Sequence, residues 1–273
     1  MPNAIKNCLY TILLSYSILG LVRCKSADDK TDHQPDSTAL AAPDSTIGVI
    51  DVDSSDSAFS IVLDSVYQRS AKKAFQALMI GHQRFSKDSP FVYKAEVEVP
   101  DSLARIKPFL VVADIDLNES VEKIFDLKRS MFIQLSSPAC LVDPKQIAVM
   151  EYALNYSQTK VILVLSSSGS RIIGAAVDNV QTPNFGSIVN ELSPATKSAQ
   201  EFADRSSANK SFVNNIAQVQ ARYSIDRILQ NSPQVKMLAD SGKVVLKSAF
   251  YDSGKRTLTI LDQGPSLNPS AKK

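Results

Sequence analysis

The chain of 273 residues contains no tryptophan, two histidines and three cysteines. Each scarcity excludes something. Without tryptophan, one residue type for an aromatic stacking site is missing. Histidine and cysteine are the usual ligands of catalytic zinc, so their rarity leaves little from which to build such a centre. His33 lies in a polar stretch and reads as solvated. Cys8 and Cys24 fall in an N-terminal targeting segment, which leaves Cys140 alone in the mature domain and excludes an internal disulfide there even in an oxidising compartment. Charge of one sign is also lacking. Lys and Arg number 30 against 28 Asp and Glu, a formal excess of +2 that is too small to point to nucleic acid or a polyanionic surface. What is present, 44% hydrophobic and 21% charged residues, is ordinary for a globular protein that buries one large core or two small ones.

The N-terminus has an address-like organisation. Lys6 precedes an apolar run from Leu9 to Val22, about 14 residues, in the length range of a signal-peptide core and short for a membrane span. Arg23 and Cys24 follow. A cysteine directly after such a core suggests a lipoprotein lipidated at Cys24, although Arg23 stands where a small residue is expected; an ordinary signal peptide or an uncleaved anchor are the other readings. All three imply export to the cell envelope, with the membrane reached through a lipid or the signal anchor. Residues 25–60, rich in Asp, Ser, Ala, Thr and Pro, read as a disordered spacer. The domain then spans 61–262, and 263–273 is a polar tail.

Within the domain, Val62 to Phe85 carries apolar residues at helical spacing, predicting one or two helices. Phe91 to Val99 alternates like a strand or extended arm. Pro108 to Ile115 and Met131 to Leu135 are apolar strands separated by a short helix over Glu119 to Leu127. Pro144 to Tyr156 is an amphipathic helix with proline in its first turn. Lys160 to Asp178 (KVILVLSSSGSRIIGAAVD) reads as a doubly buried strand over Val161 to Leu165, a polar turn from Ser166 to Ser170 and a helix from Arg171. Helices follow over Phe185 to Arg205, broken at Pro194, over Asn209 to Leu229, and over Val235 to Ala239. In the long one, Ile225 and Ile228 fall off the apolar stripe, predicting a bend or a wider buried face. Val244 to Tyr251 and Thr257 to Leu261 make a C-terminal hairpin. Alternating strands and helices predict an α/β fold with a parallel sheet and right-handed crossovers.

The turn at 166–170 is the chemically suggestive element. A strand that feeds a helix through a hydroxyl-rich turn gathers free backbone N–H groups at the positive helix end. Ser166, Ser168, Gly169 and Arg171 are therefore candidates to bind a small anion such as bicarbonate, phosphate or sulfate; the blander alternative is serines that cap the helix. A serine nucleophile would need a positioned base, and the only histidine of the domain, His82, is not placed near the turn by anything in the sequence.

Four segments, in order, resemble motifs of the β-class carbonic anhydrases over roughly residues 70–262. Leu78 with Gly81-His82-Gln83-Arg84-Phe85 is similar to L-x-x-G-N-x-R-F, with His82 where Asn is usual. Glu122-Lys123-Ile124-Phe125-Asp126 is similar to P-E-x-I-F-D, Glu151-Tyr152-Ala153 to S-I-E-Y-A, and Tyr251-Asp252 with Gly254-Lys255 to the last hairpin. The resemblance implies a β-carbonic-anhydrase-like parallel sheet flanked by helices, with N-terminal helices and a C-terminal β-hairpin, and assembly as a homodimer through those helices and sheet edges.

It also implies a zinc site, and there the sequence departs. The family's C-x-D-S-R places its Cys on Asp114, its Asp on Asp116 and its Arg on Asn118. The family's H-x-x-C-G places its His on Ser167, its Cys on Ser170 and its Gly on Arg171. Only the dyad aspartate, Asp116, matches as a catalytic position. The former metal-ligand positions Asp114, Ser167 and Ser170 lack thiolate and imidazole, and serine hydroxyls are poor zinc ligands at neutral pH. Cys140, past the second strand, falls beyond the ligand positions. The expectation is a family member without its cofactor: an exported, inactive relative kept for binding or assembly. The alternative is an altered carbonate dehydratase using a cation held by Asp114 and Asp116.

Overall fold

The structure is a computed structural model and describes residues 70–90, 105–199 and 202–261. The expectations for 1–24, 25–60 and 263–273, for Val62 to Arg69 and for the arm Phe91 to Val99 lie outside the described residues. Five strands form one sheet in the order β2-β1-β3-β4-β5. Strands β1 (Phe109–Asp114), β2 (Phe132–Ser137), β3 (Val161–Ser167) and β4 (Val245–Asp252) run parallel, and β5 (Thr257–Leu261) returns antiparallel beside β4. The sheet is as the sequence predicts: parallel, with a C-terminal hairpin.

The central strands β1 and β3 are buried at every position, as their continuous apolar runs require. Strand alternation sends the two sets of side chains to opposite faces. Leu110, Val112, Ile162 and Val164 join one cluster; they pack with α3 (Pro144–Tyr156), α5 (Phe185–Ser198) and α6 (Lys210–Asn231). Phe109, Val111, Leu163, Leu165 and Tyr251 join the other, covered by α1 (Ala71–Ser86) and α2 (Val121–Ile124). Helix α3 starts where Asp143 and Gln146 form a capping box ahead of Pro144. In α6 the apolar stripe widens as expected, and Ile225 and Ile228 are both buried. The short α7 (Pro233–Asp240) leads into β4.

Two expectations are corrected. Helix α5 is not broken at Pro194 but runs through it to Ser198. Pro194 and Asn190, whose carbonyl it deprives of a partner, are both exposed, while Leu192 and Ala195 anchor the helix on either side of the proline. Strand β3 also does not stop at Leu165. Ser166 and Ser167 continue it, in register with Phe250 and Tyr251 of β4, and Ser166 Oγ donates to the Ala249 carbonyl (3.1 Å).

Two segments that resemble family motifs meet in space. Gly81 lies so close to α2 that a Cβ built on it would stand 1.8 Å from the carbonyl oxygen of Phe125. His82 Nδ1 hydrogen-bonds the Ile124 carbonyl (3.1 Å). Arg84 donates from Nε to the Asp126 carboxylate and from Nη2 to the Asp126 carbonyl (2.9 Å). Phe85 lies under the Arg256 guanidinium, 4.3 Å from ring centroid to Cζ. The sequence Gly-His-x-Arg-Phe thus fastens α1 to the turn that ends α2.

His82 carries a pH prediction. Burial lowers its pKa below 6.5 and the Arg256 charge lowers it further, against the raising effect of the Ile124 bond. In the unfolded chain the imidazole titrates near 6.5. Above that pH both states are neutral and the full contribution is present. As pH falls below 6.5 the unfolded state takes up the proton first, so stability declines until the folded ring also titrates. Thermal melts from pH 7.5 to 5 are expected to show a declining Tm that His82→Asn flattens; an identical slope in the variant would refute the assignment.

Candidate functional site

The site forms at the C-terminal ends of β1 and β3, where open parallel sheets place their ligands. Strand β1 ends at Asp114, 2% exposed; Ser167 and Ser170, each 1% exposed, flank the turn between β3 and α4 (Arg171–Val177). The three positions predicted from the motifs come together. Ser167 Oγ donates to Asp114 Oδ2 (3.4 Å). Asp114 Oδ1 accepts from the backbone N–H of Asp116 (3.3 Å) and of Ala139 (3.1 Å). Burial raises the Asp114 pKa, and hydrogen bonds from Asp116 N–H and Ser170 pull it back.

Asp116 faces the helix. Its Oδ2 accepts from Arg171 N (2.7 Å), Ile172 N (3.0 Å) and Ser170 Oγ (3.3 Å), and its Oδ1 from Arg171 Nε (2.9 Å). One carboxylate thereby caps the first turn of α4 and pairs with a guanidinium, which is favourable for both charge and orphan N–H groups. The family's dyad arginine position, Asn118, instead reaches Ser253 Oγ (3.5 Å). The cation beside Asp116 comes from Arg171, at the other motif.

The donors expected to hold a small anion are engaged within the chain. Asp116 takes the N–H groups that open α4. Gly169, with φ +69°, donates its N–H to Asn214 Oδ1 (2.9 Å), and Ser168 Oγ lies 3.1 Å from Ser253 Oγ and accepts from Ser253 N (3.1 Å). Ser166 is a buried strand residue rather than a turn residue. The carboxylate of Asp116 stands where the sequence suggested an anion.

Cys140 requires a correction. It does follow β2, in a 3-10 turn over Pro138–Cys140, but the turn folds back against Asp114 instead of leading away. Ala139 and Cys140 both adopt left-handed backbone, φ 49° and 57°, a conformation costly for residues with a Cβ. Three bonds hold it: Ala139 N–H to Asp114, Cys140 Sγ to the Leu165 carbonyl (3.1 Å), and Ser224 Oγ to the Cys140 carbonyl (2.6 Å). Burial pushes the Cys140 thiol well up, and the Asp114 charge adds to this; the sulfur is buried and bonded to the Leu165 carbonyl. Ala139, Asn214 and Ser253 were not legible as neighbours of the site, because each reaches it from a remote element through a backbone group or a short polar side chain.

The donor set can be tested against the family's metal. Catalytic zinc takes about three imidazole, thiolate or carboxylate ligands. Here one buried carboxylate meets two hydroxyls, and its oxygens already accept hydrogen bonds. Among the described residues, no group of three or more His, Cys, Asp or Glu side chains is arranged to hold a metal ion. The residues present do not fit zinc.

A family model for carbonic anhydrase matches residues 116–258. No curated protein matches the chain. Among solved structures it is similar to the β-carbonic anhydrase CafA of the fungal pathogen Aspergillus fumigatus, at 17% identity and a TM-score of 0.52 over 76% of this chain and 92% of that one. It is equally similar to a structure from work on two tetrameric β-carbonic anhydrases of the filamentous ascomycete Sordaria macrospora, at 17% identity and a TM-score of 0.52 over 76% and 98%. Likeness at such identity speaks for the fold, while the family match runs over more than half of the sequence, through β3, its serine turn and the last hairpin. On those grounds this protein belongs to the carbonic anhydrase family, as a divergent member with a β-class fold.

Proposed function

We propose that this protein is a non-catalytic carbonic anhydrase relative, exported to the cell envelope and retained as a binding or assembly scaffold. The observation that carries the reading is the closure of the motif positions on themselves. Asp114, Ser167 and Ser170 are buried and hydrogen-bonded within the site: Ser167 Oγ and the N–H groups of Asp116 and Ala139 donate to Asp114, and Ser170 Oγ donates to Asp116. A water activated for attack on CO2 needs a metal to bring its pKa near 7, and this donor set does not supply the ligands. A cation on Asp114 and Asp116 alone is disfavoured for the same reason, since Asp116 is committed to Arg171 and the start of α4. Export rests on the apolar run Leu9 to Val22 with Cys24. Self-association, as a dimer in our reading, is in keeping with the tetrameric relatives of Sordaria macrospora.

The test is metal content and CO2 hydration of the purified full chain. We expect less than about 0.1 equivalent of zinc, and hydration at the buffer rate with and without added zinc or cobalt. Stoichiometric zinc together with hydration activity would sink the proposal and restore the altered-enzyme alternative.

A further inference from the structure

We propose that the N-terminal end of the parallel sheet is a docking face for anionic lipid headgroups. This rests on the envelope reading above and adds to it a surface of the folded domain. The net charge of the chain is only +2, but the fold sorts it. Each parallel strand is entered through basic residues: Arg105 and Lys107 before β1, Lys128 and Arg129 before β2, Lys160 before β3 and Lys243 before β4. The strand starts are aligned, with Phe109 opposite both Phe132 and Val161, and Val161 opposite Val245. Backbone bonds tie the entries together, Lys107 N to Ser157 O (2.8 Å), Lys160 N to Pro108 O (2.9 Å) and Val245 N to Lys160 O (2.9 Å). These cations therefore share one end of the molecule.

Helix α1 adds to it. Ser70 and Ala71, at its start, line one open cleft of about 330 Å3 with Lys160 and Lys243. The exposed Lys72 and Lys73 of its first turn stand beside them, together with the positive end of a 16-residue helix. Asp240, which closes α7 shortly before Lys243, pairs with Lys236 (2.7 Å). Asp114, Asp116, Glu119, Asp143 and Asp252 all lie at the opposite end, after the strands.

Two observations favour a membrane over a nucleic acid. At the end of α3, Tyr152 and Tyr156 are 57% and 70% exposed and stack at 5.1 Å; amphipathic aromatic rings of this kind suit a headgroup region. The residues that precede Ser70 in the sequence, the apolar run Leu9 to Val22 among them, join the described residues at this same end. Basic residues near an anionic leaflet each add roughly 1 kcal/mol of attraction, within a Debye length of about 8–10 Å.

Flotation of the full chain with phosphatidylcholine vesicles and with vesicles of phosphatidylcholine and phosphatidylglycerol at three to one tests this. The variant is K72E/K73E/K243E, three exposed changes whose folding is checked by circular dichroism. We expect the wild type to bind the anionic vesicles about tenfold more tightly than the neutral ones in 0.15 M NaCl. That increment should vanish in 0.5 M NaCl and in the variant, while binding through the apolar run stays on both vesicle types. An equal affinity of the wild type for both vesicles would overturn the proposal. So would a folded variant that keeps the increment, or equally tight binding of the wild type to a single-stranded RNA oligonucleotide. If the envelope reading alone fails, neutral-vesicle binding is lost and the salt-sensitive increment remains, so the two failures are distinguishable.

Discussion

Gly81→Ala is expected to lower folding stability by about 3 kcal/mol or more. A Cβ at that position would stand 1.8 Å from the Phe125 carbonyl oxygen and 2.9 Å from its carbon, and both are backbone atoms, so no rotamer change relieves the overlap. Helix α1 must back away from α2. In doing so it stretches the bond from His82 to Ile124 and the paired contacts of Arg84 with Asp126. For a folded unit of this size the loss corresponds to roughly 6–12 °C in Tm. The protein carries its own control. Gly186, in the first turn of α5, has nothing within 4 Å of its would-be Cβ, so Gly186→Ala is expected to leave stability unchanged or raise it by up to about 1 kcal/mol through helix propensity. Denaturant melts of the two alanine variants check the argument. Equal effects would mean that the α1–α2 approach is not what Gly81 is for.

Asp116→Ala is expected to be the second costly change, at about 2–3 kcal/mol. Its side chain is 6% exposed and receives two backbone N–H groups, a hydroxyl and a guanidinium N–H. The ion pair is the lesser part. The Arg171 side chain is 88% exposed, so Arg171→Ala should cost no more than about 0.5–1 kcal/mol. The larger part is the start of α4, whose first backbone N–H groups lose their acceptor. Asp116→Asn, which keeps an acceptor but not the charge, should fall between the two. Urea melts of the three variants give the ordering; an Arg171→Ala loss as large as that of Asp116→Ala would show that the ion pair dominates.

Much of this architecture was legible in the residues. Strands β1 and β3 announced themselves because both faces are covered, which leaves no polar position to interrupt the run. Helix α3 was placed to the residue because Pro144 fixes its first turn. Counting from the motif segments singled out Asp114 and Ser167, and the pairing of β1 with β3 brings the two side chains together. What was misread depends on tertiary partners. Serine is a turn former by local chemistry, and only the Ala249 carbonyl and the Asp114 carboxylate make Ser166 and Ser167 strand residues. Pro194 breaks an isolated helix, and here two buried anchors carry the helix across it. The basic end was hidden for a different reason: a net charge is a sum, and the lysines that precede successive strands are some 20–80 residues apart until parallel pairing collects them.

The closed polar network has a consequence for redesign. A thiolate–imidazole ligand set installed at Asp114, Ser167 and Ser170 would have to displace these bonds. Asp114→Cys takes the acceptor from Ala139 and Asp116 N–H, and so releases the left-handed backbone of Ala139 and Cys140. Ser167→His puts a ring into a position 1% exposed. The first two of those changes therefore begin by breaking contacts that the fold uses. The pocket is held shut by the same bonds that shape its neighbours, so its filling and the turn after β2 stand or fall together.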